Sequence, residues 1–296
     1  MKKKVLSVLS IALIFAILGA FAACGNKTEG TATTTTPTTE APKSTLKILP
    51  DALEGSTETY VIGFRKGDQA LRDKVQTILC EMKKDGTMAQ ISTTWFGSDM
   101  TTVKETADIK TPATDNSLEK VLEAKKLVLG LDATFKPMGF TDDQNNIVGF
   151  DIDLAKEVCK RLGVELELKG IDWETKEKTL DANQIDCIWN GMSYSDKRNE
   201  AMNLSEAYMD NKMVFVVSAS GAIASQADLS QKKVAVQSGS TAQEILEASA
   251  IAKDIEIVAI GTNVEALQQL NLNMVDAVFL DSVVAEYEIV QMLKTK

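Results

Sequence analysis

Leu127-Val128-Leu129-Gly130-Leu131, Phe150-Asp151-Ile152-Asp153-Leu154 and Val164-Glu165-Leu166-Glu167-Leu168 decide the fold class. The first is an apolar run of strand length. The second opens a helix over Ile152 to Leu162, in which Leu154, Val158 and Leu162 recur every four residues and Gly163 supplies the stop. The third alternates apolar and acidic residues, the period of a half-buried strand. The same alternation continues outward. Asp186–Trp189, Met213–Val217, Lys233–Val236, Ile255–Ile260 and Ala277–Leu280 read as strands, with helical patterns over Glu244–Ala248, Val264–Leu270 and Val283–Leu293. Strands alternating with helices predict an α/β architecture with mainly parallel sheets.

Toward the front, Tyr60–Phe64 reads as a strand and Gln69–Lys84 as an amphipathic helix bearing Leu71, Val75, Ile78, Leu79 and Met82 on one face. A second short helix runs to Trp95-Phe96-Gly97. Ser98 to Asn116 is polar and aperiodic and reads as a linker. At the very start, Lys2-Lys3-Lys4 precedes an apolar stretch from Val5 to Ala20, the length of a signal h-region and short for a membrane span. It ends in Phe21-Ala22-Ala23-Cys24, which resembles the lipobox of bacterial lipoproteins, with Phe21 where a leucine is usual. That resemblance implies a signal peptide over 1–23 and lipidation of Cys24. Residues 24–44, rich in Thr, Pro and Glu, read as a disordered tether.

Composition removes several classes of function. The 296 residues carry a formal charge of −10 with no basic run beyond the first residues, which argues against nucleic-acid binding. There is no histidine, so Ser-His-Asp and Cys-His catalysis and histidine metal sites are excluded. Cys80, Cys159 and Cys187 fit no metal spacing and read as core residues. No cofactor or metal is expected.

Several separate motifs resemble those of amino-acid-binding proteins of ABC importers, the family 3 solute-binding type. Leu131–Phe140 is similar to that family's opening strand and loop, Val148–Leu154 to its GFDxDL motif, and Trp189–Arg198 to its G-[MI]-[ST]-x-[ST]-x-x-R segment. Val234–Thr241 and Ala277–Asp281 match two later motifs. The resemblance implies a two-lobed, type II periplasmic-binding-protein-like α/β fold with two crossing hinge segments. The order departs from the family's: the strand Thr45–Leu49, the crossing Tyr60–Phe64, Arg65-Lys66-Gly67-Asp68 and Trp95-Phe96-Gly97 stand at the front instead of the end. Joining Lys296 to Ser44 restores the usual order, so the chain reads as circularly permuted. A flexible linker of twenty residues spans roughly 25 Å, enough to join surface ends. By this mapping lobe 1 covers 60–217, with the linker at 98–117, and lobe 2 combines 45–59 with 218–296. The crossings are expected near Tyr60–Phe64 and Met213–Val217.

The resemblance also assigns the site. Arg198 takes the position of the carboxylate-binding arginine, whose planar fork holds a carboxylate with two parallel bonds. Asn190, Gly191 and Ser193, expected in one loop, resemble groups that bind the ligand's carboxylate and ammonium. Ser240 and Thr241 open a helix after a strand, where free N–H groups suit an anion or a cap. Asp281 matches the acid that receives the ammonium, Asp132 the group that meets a polar side chain, and Phe135 and Trp173 the aromatic walls. Gln237 is expected to reach the ligand's side chain. An acid between aromatic faces suits an amide or a cation: glutamine, arginine or lysine. The implied protein is a monomeric lipid-anchored receptor on the extracellular face of a bacterial cytoplasmic membrane, serving importer permease subunits, and not an enzyme. A dehydratase on the same scaffold and a sensory receptor are the competing readings.

Overall fold

The computed structural model describes residues 45–109 and 113–294. The stretches read as a signal peptide, a tether and a lipidated Cys24 lie outside the described residues. In chain order the first elements are β1 (Leu46–Ile48), β2 (Thr57–Phe64), α1 (Gln69–Lys84), α2 (Thr87–Phe96), α3 (Ser117–Ala124), β3 (Lys126–Leu131), β4 (Thr134–Phe135), β5 (Gly139–Thr141), β6 (Ile147–Val148), α4 (Phe150–Leu162), β7 (Glu165–Gly170) and α5 (Lys176–Asp181). Next come β8 (Cys187–Ser193), α6 (Asp196–Ala201), β9 (Asn203–Leu204), β10 (Met209–Ser218), β11 (Lys233–Gln237), α7 (Thr241–Ala248), β12 (Glu256–Ile260), α8 (Asn263–Asn271), β13 (Ala277–Asp281) and α9 (Ser282–Lys294).

The main sheet runs β12-β11-β13-β10-β2-β8-β3-β7, with β1 added on β10 and β9 on β2. Its two halves repeat one plan. In one half β7, β3 and β8 are parallel and β2 enters antiparallel; in the other β12, β11 and β13 are parallel and β10 enters antiparallel. Each entering strand begins beside the other half. Thr57–Tyr60 pairs antiparallel with Met209–Lys212, and that pairing joins the halves. It lies just ahead of the stretches 60–64 and 213–217 read as crossings. The fold is therefore the two-lobed, type II binding-protein α/β fold that the motifs implied. The strands that cross carry near-continuous apolar runs because both faces are covered. Phe215 and Phe279, 4.5 Å apart between ring centroids, pack on one face with Val234, Val236 and Leu246. Tyr60, Ile62 and Val216 belong to the large core that spans both halves.

Three readings change. β8 does not stop at Trp189 but continues through Ser193, so Asn190, Gly191 and Ser193 sit on a strand and not in a loop. The irregularity is a bulge: β2 pairs Val61 with Met192 and then Gly63 with Ile188, and Gly191 takes a φ of 56° within it. The linker is partly packed: Thr101 bridges to Met209, and Val103 is buried. The α4 helix starts at Phe150, two residues ahead of the periodic stretch. Cys80, Cys159 and Cys187 are free and buried thiols.

Gly149 precedes α4 because backbone packs onto backbone there. Phe150 and Asp151 N–H donate to Pro137 and Met138 carbonyls at 2.9 Å each. A Cβ on Gly149, at φ 145°, would lie 2.2 Å from the Met138 oxygen. By contrast Gly163, at φ 73°, has nothing within 4 Å of a built Cβ. We expect Gly149→Ala to lose on the order of 3 kcal/mol and Gly163→Ala on the order of 1 kcal/mol. Urea midpoints of the two variants check this; equal midpoints would refute the close-approach account.

Candidate functional site

The ends of the parallel strands and the loops after them converge where the two halves face each other. Asp132 directly follows β3, and β8 ends in Ser193, β11 in Gln237 and β13 in Asp281, each buried. This is where α/β sheets place ligands, outside the carboxyl ends of their strands. All the residues singled out from the sequence line one cavity, together with Met213. The cavity measures about 20 Å³, room for about one water molecule. A groove of about 660 Å³ runs elsewhere along Arg72, Lys104 and Glu206; it lacks such a convergence of strand ends.

Arg198 stands on α6, a short helix capped by Ser195, and is 3% exposed. Its Nη1 donates to the Ser193 carbonyl at 2.9 Å and to Thr241 Oγ1 across the cleft. Nη2 donates to the Gly239 carbonyl at 3.3 Å, and Nε is buried without a hydrogen-bond partner. Glu177 Oε1 lies 4.0 Å from that Nε. Nε is thus the guanidinium nitrogen without a hydrogen-bond acceptor, and the group lies beside the α7 N-terminus, where Ser240 Oγ caps Gln243 N at 3.1 Å.

Asp281 lies on the opposite half from Arg198. Its Oδ1 accepts from the Tyr60 hydroxyl at 2.6 Å and from Asn211 Nδ2 at 2.9 Å. Burial lifts its carboxyl to about 6, with the Tyr60 hydrogen bond acting the other way. Asp132 accepts from Thr134 N and Oγ1, and its Oδ2 accepts from Gln237 Nε2 at 2.7 Å, a bridge between the halves. Asn263 in turn donates to Gln237 Oε1 at 3.0 Å, which fixes the amide. Asn190 Oδ1 accepts from Asp132 N at 3.0 Å, and its Nδ2 is buried without a partner. Gly191 N donates to Asp151 Oδ2 at 2.7 Å, and Tyr208 OH donates to the same oxygen at 2.9 Å. The GFDxDL acid is therefore a brace for the bulge, and burial raises it to about 7. Phe135 and Trp173 supply apolar wall, 6% and 8% exposed.

Sequence reasoning missed Lys176. This lysine is 2% exposed, with Nζ donating to the Trp173 carbonyl at 3.2 Å and, across the cleft, to the Gly239 carbonyl at 2.8 Å. Burial, aided by the Arg198 charge, lowers it to about 8. Its only sequence signal is a position three residues after Trp173. Glu58, Asn211 and Met213 were also missed. Among the described residues no group of His, Cys, Asp or Glu is placed to hold a metal ion, and no helix is long and apolar enough to cross a membrane.

The family model of bacterial extracellular solute-binding proteins, family 3, matches residues 9–98 and 127–284, and the chain belongs to that family. It is 29% identical over 179 residues to the L-cystine-binding protein TcyJ of Escherichia coli, a match covering 60% of this chain and 66% of that protein. The curated relatives are thus matched over slightly less than two thirds of their length. Among solved structures it is similar to an ABC uptake transporter substrate binding protein from Streptococcus pneumoniae with bound histidine. That match has TM-score 0.57 and 34% identity, and covers 61% of this chain and 75% of the other. The arginine-bound ArgBP from T. maritima matches with TM-score 0.55 and 33% identity, over 58% and 81%. All three are binding proteins by name.

Proposed function

We propose that this chain captures one free polar amino acid between its two halves and delivers it to the permease subunits of an ABC importer. The observation that carries the reading is the placement of Arg198 and Asp281 on opposite halves around a single buried cavity. A free amino acid brings a carboxylate and an ammonium, and removing either from water is costly unless each gains partners. The guanidinium of Arg198, with the α7 N-terminus, suits the carboxylate. Asp281, with the carbonyl-rich end of β8, suits the ammonium. The Asp132–Gln237 pair between Phe135 and Trp173 suits a side chain bearing an amide or a cation, of the glutamine, arginine or lysine type. The names of the relatives, for histidine, arginine and cystine, support the polar class.

A cavity of about 20 Å³ holds no amino acid, so entry requires the halves to swing apart about the β2–β10 pairing and close again. Closure then trades the Gln237–Asp132 and Arg198–Thr241 bonds for bonds to the ligand. The receptor works from the extracellular membrane face, held by lipid on Cys24 through the tether.

The chain order is read as a circular permutation. The two blocks matched by the family model stop at 98 and resume at 127, around the linker. The relatives and neighbours match over about 60% of this chain, the share that one unbroken run from residue 127 onward would supply. β1 also pairs with β10 beside α9, which brings the front segment to the spatial position of a strand following α9.

Arg198→Ala should weaken every accepted amino acid by roughly 100-fold, from the loss of charged hydrogen bonds. Asp132→Ala should reorder which side chains are accepted. Calorimetry against the twenty amino acids checks both, and an unchanged Kd in the Arg198 variant would dismiss the carboxylate assignment. A chain reordered as 118–296 followed by 44–97 should fold and bind with similar affinity. Loss of its cooperative unfolding would rule out the junction of Lys296 with Ser44.

A further inference from the structure

Behind the Asp281 end of the cavity stands a second acid, Glu58, which takes no part in the reading above. It lies on β2 directly opposite Asn211 on β10, and both Glu58 and Asp281 are more than nine-tenths buried. The Asn211 amide donates to Glu58 Oε1 at 2.6 Å and to Asp281 Oδ1 at 2.9 Å, so its two hydrogens are used on two acids. Ser282 Oγ, donating to Asn211 Oδ1 at 3.2 Å, fixes the orientation of that amide. Glu58 Oε2 is buried and meets no hydrogen-bond partner. An ionised carboxylate oxygen there would be stripped of water with nothing in return, whereas a protonated one can donate.

The surroundings do not supply the missing positive charge. Tyr60 from β2, Ser193 from β8 and Asn211 from β10 are neutral. Arg198 on α6 acts on Asp281 and favours its ionised form. The open side of Glu58 is a groove that also holds two more acids, Asp210 and Glu244, the latter paired with Lys197 at 3.2 Å. Burial first, and then the Asp281 charge, push Glu58 up to about 8. Asp281, whose Oδ1 also accepts from the Tyr60 hydroxyl, rises only to about 6. Two buried acids sharing one amide do not readily ionise together, and burial raises both of them.

We propose that Glu58 is a proton-carrying member of the ammonium subsite, so that the ammonium of an incoming amino acid displaces the proton held by the Glu58–Asp281 pair. In this step the Glu58 O–H bond breaks, the electron pair stays on the oxygen, water or buffer takes the proton, and one positive charge replaces another. The proposal rests on the amino-acid reading of the cleft. The sign follows directly: the ligand's charge lowers the acid's affinity for its proton, so ligand affinity rises with pH. The slope approaches tenfold per pH unit below the free-state value near 8 and flattens above it.

The full chain is titrated by calorimetry with L-arginine, L-lysine and L-glutamine, whose side chains do not titrate between pH 6 and 8. Phosphate and Tris, which differ in ionisation heat, report the proton count. At pH 7 the expected result is close to one proton released per ligand bound, with affinity rising roughly twentyfold from pH 6 to 7.5. In Glu58→Gln, which keeps the acceptor for Asn211, release and slope should both vanish while binding persists. Binding with no proton released in the natural protein, or the same release in Glu58→Gln, would overturn the proposal and leave the amino-acid reading standing. Absence of heat with all three ligands would remove both.

Discussion

Everything in this molecule passes through the antiparallel pairing of Thr57–Tyr60 with Met209–Lys212. It is the join between two sheets that otherwise repeat the same plan. The pleat makes it chemical as well as mechanical. Side chains alternate faces along a strand, so Glu58 and Tyr60 on β2, Asn211 and Met213 on β10 and Asp281 on β13 share one face across three neighbouring strands. The joining strands therefore carry the side chains that hold Asp281 at one end of the cavity. Any rotation about that pairing also moves the hydrogen bonds that hold Asp281, which ties opening of the cleft to the state of its acid end.

The cavity is preorganised by groups that answer one another across it. Gln237 meets Asp132, Arg198 meets Thr241 and the Gly239 carbonyl, and Lys176 meets the same carbonyl. Gly239 is the point of closest approach: a Cβ built on it would lie 2.8 Å from Glu174 Cα. Its φ of +68° and that contact both call for glycine. The cross-cleft bonds limit the cost of bringing polar groups out of water when the halves meet, since each donor keeps an acceptor. What remains unmatched is informative. Arg198 Nε, Asn190 Nδ2 and Glu58 Oε2 are buried without partners, and in native structures such groups are few.

Much of this was legible in the sequence, and for a physical reason. The strands and helices announce themselves through burial on one or both faces, so β3, α1, α4 and β11 fall within two residues of where periodicity puts them. Asp132, Gln237 and Asp281 were assigned through the family resemblance, and they stand at or just after strand ends that periodicity locates. The bulge in β8 was not legible, because it depends on pairing with β2 from a distant part of the chain, and local turn-like composition masked it. Val103 was hidden for a similar reason: one buried apolar residue in a polar stretch leaves no period. Glu58 carries no local sign, and Lys176 only its place three residues after Trp173. A charged residue on a strand or a short helix reads as a solvated face, and only the tertiary arrangement buries it.

Lys176 shows what the closed arrangement asks of its charges. Two cations, Arg198 and Lys176, share the Gly239 carbonyl in one buried corner, with Glu177 3.2 Å from the lysine and 4.0 Å from the arginine. One acid between two cations leaves that corner net positive. The opposite corner, with Asp281 and Glu58, is net negative once either acid is ionised. A small cavity with poles of opposite sign, and aromatic and amide groups between them, orients a zwitterion in a single direction. A neutral ligand of the same size would leave both poles unmatched, and the low local polarity that makes paired charges strong makes unpaired ones expensive. Under the proposed function, selection for the amino-acid head would come from the two poles acting together, leaving the residues between them to choose the side chain.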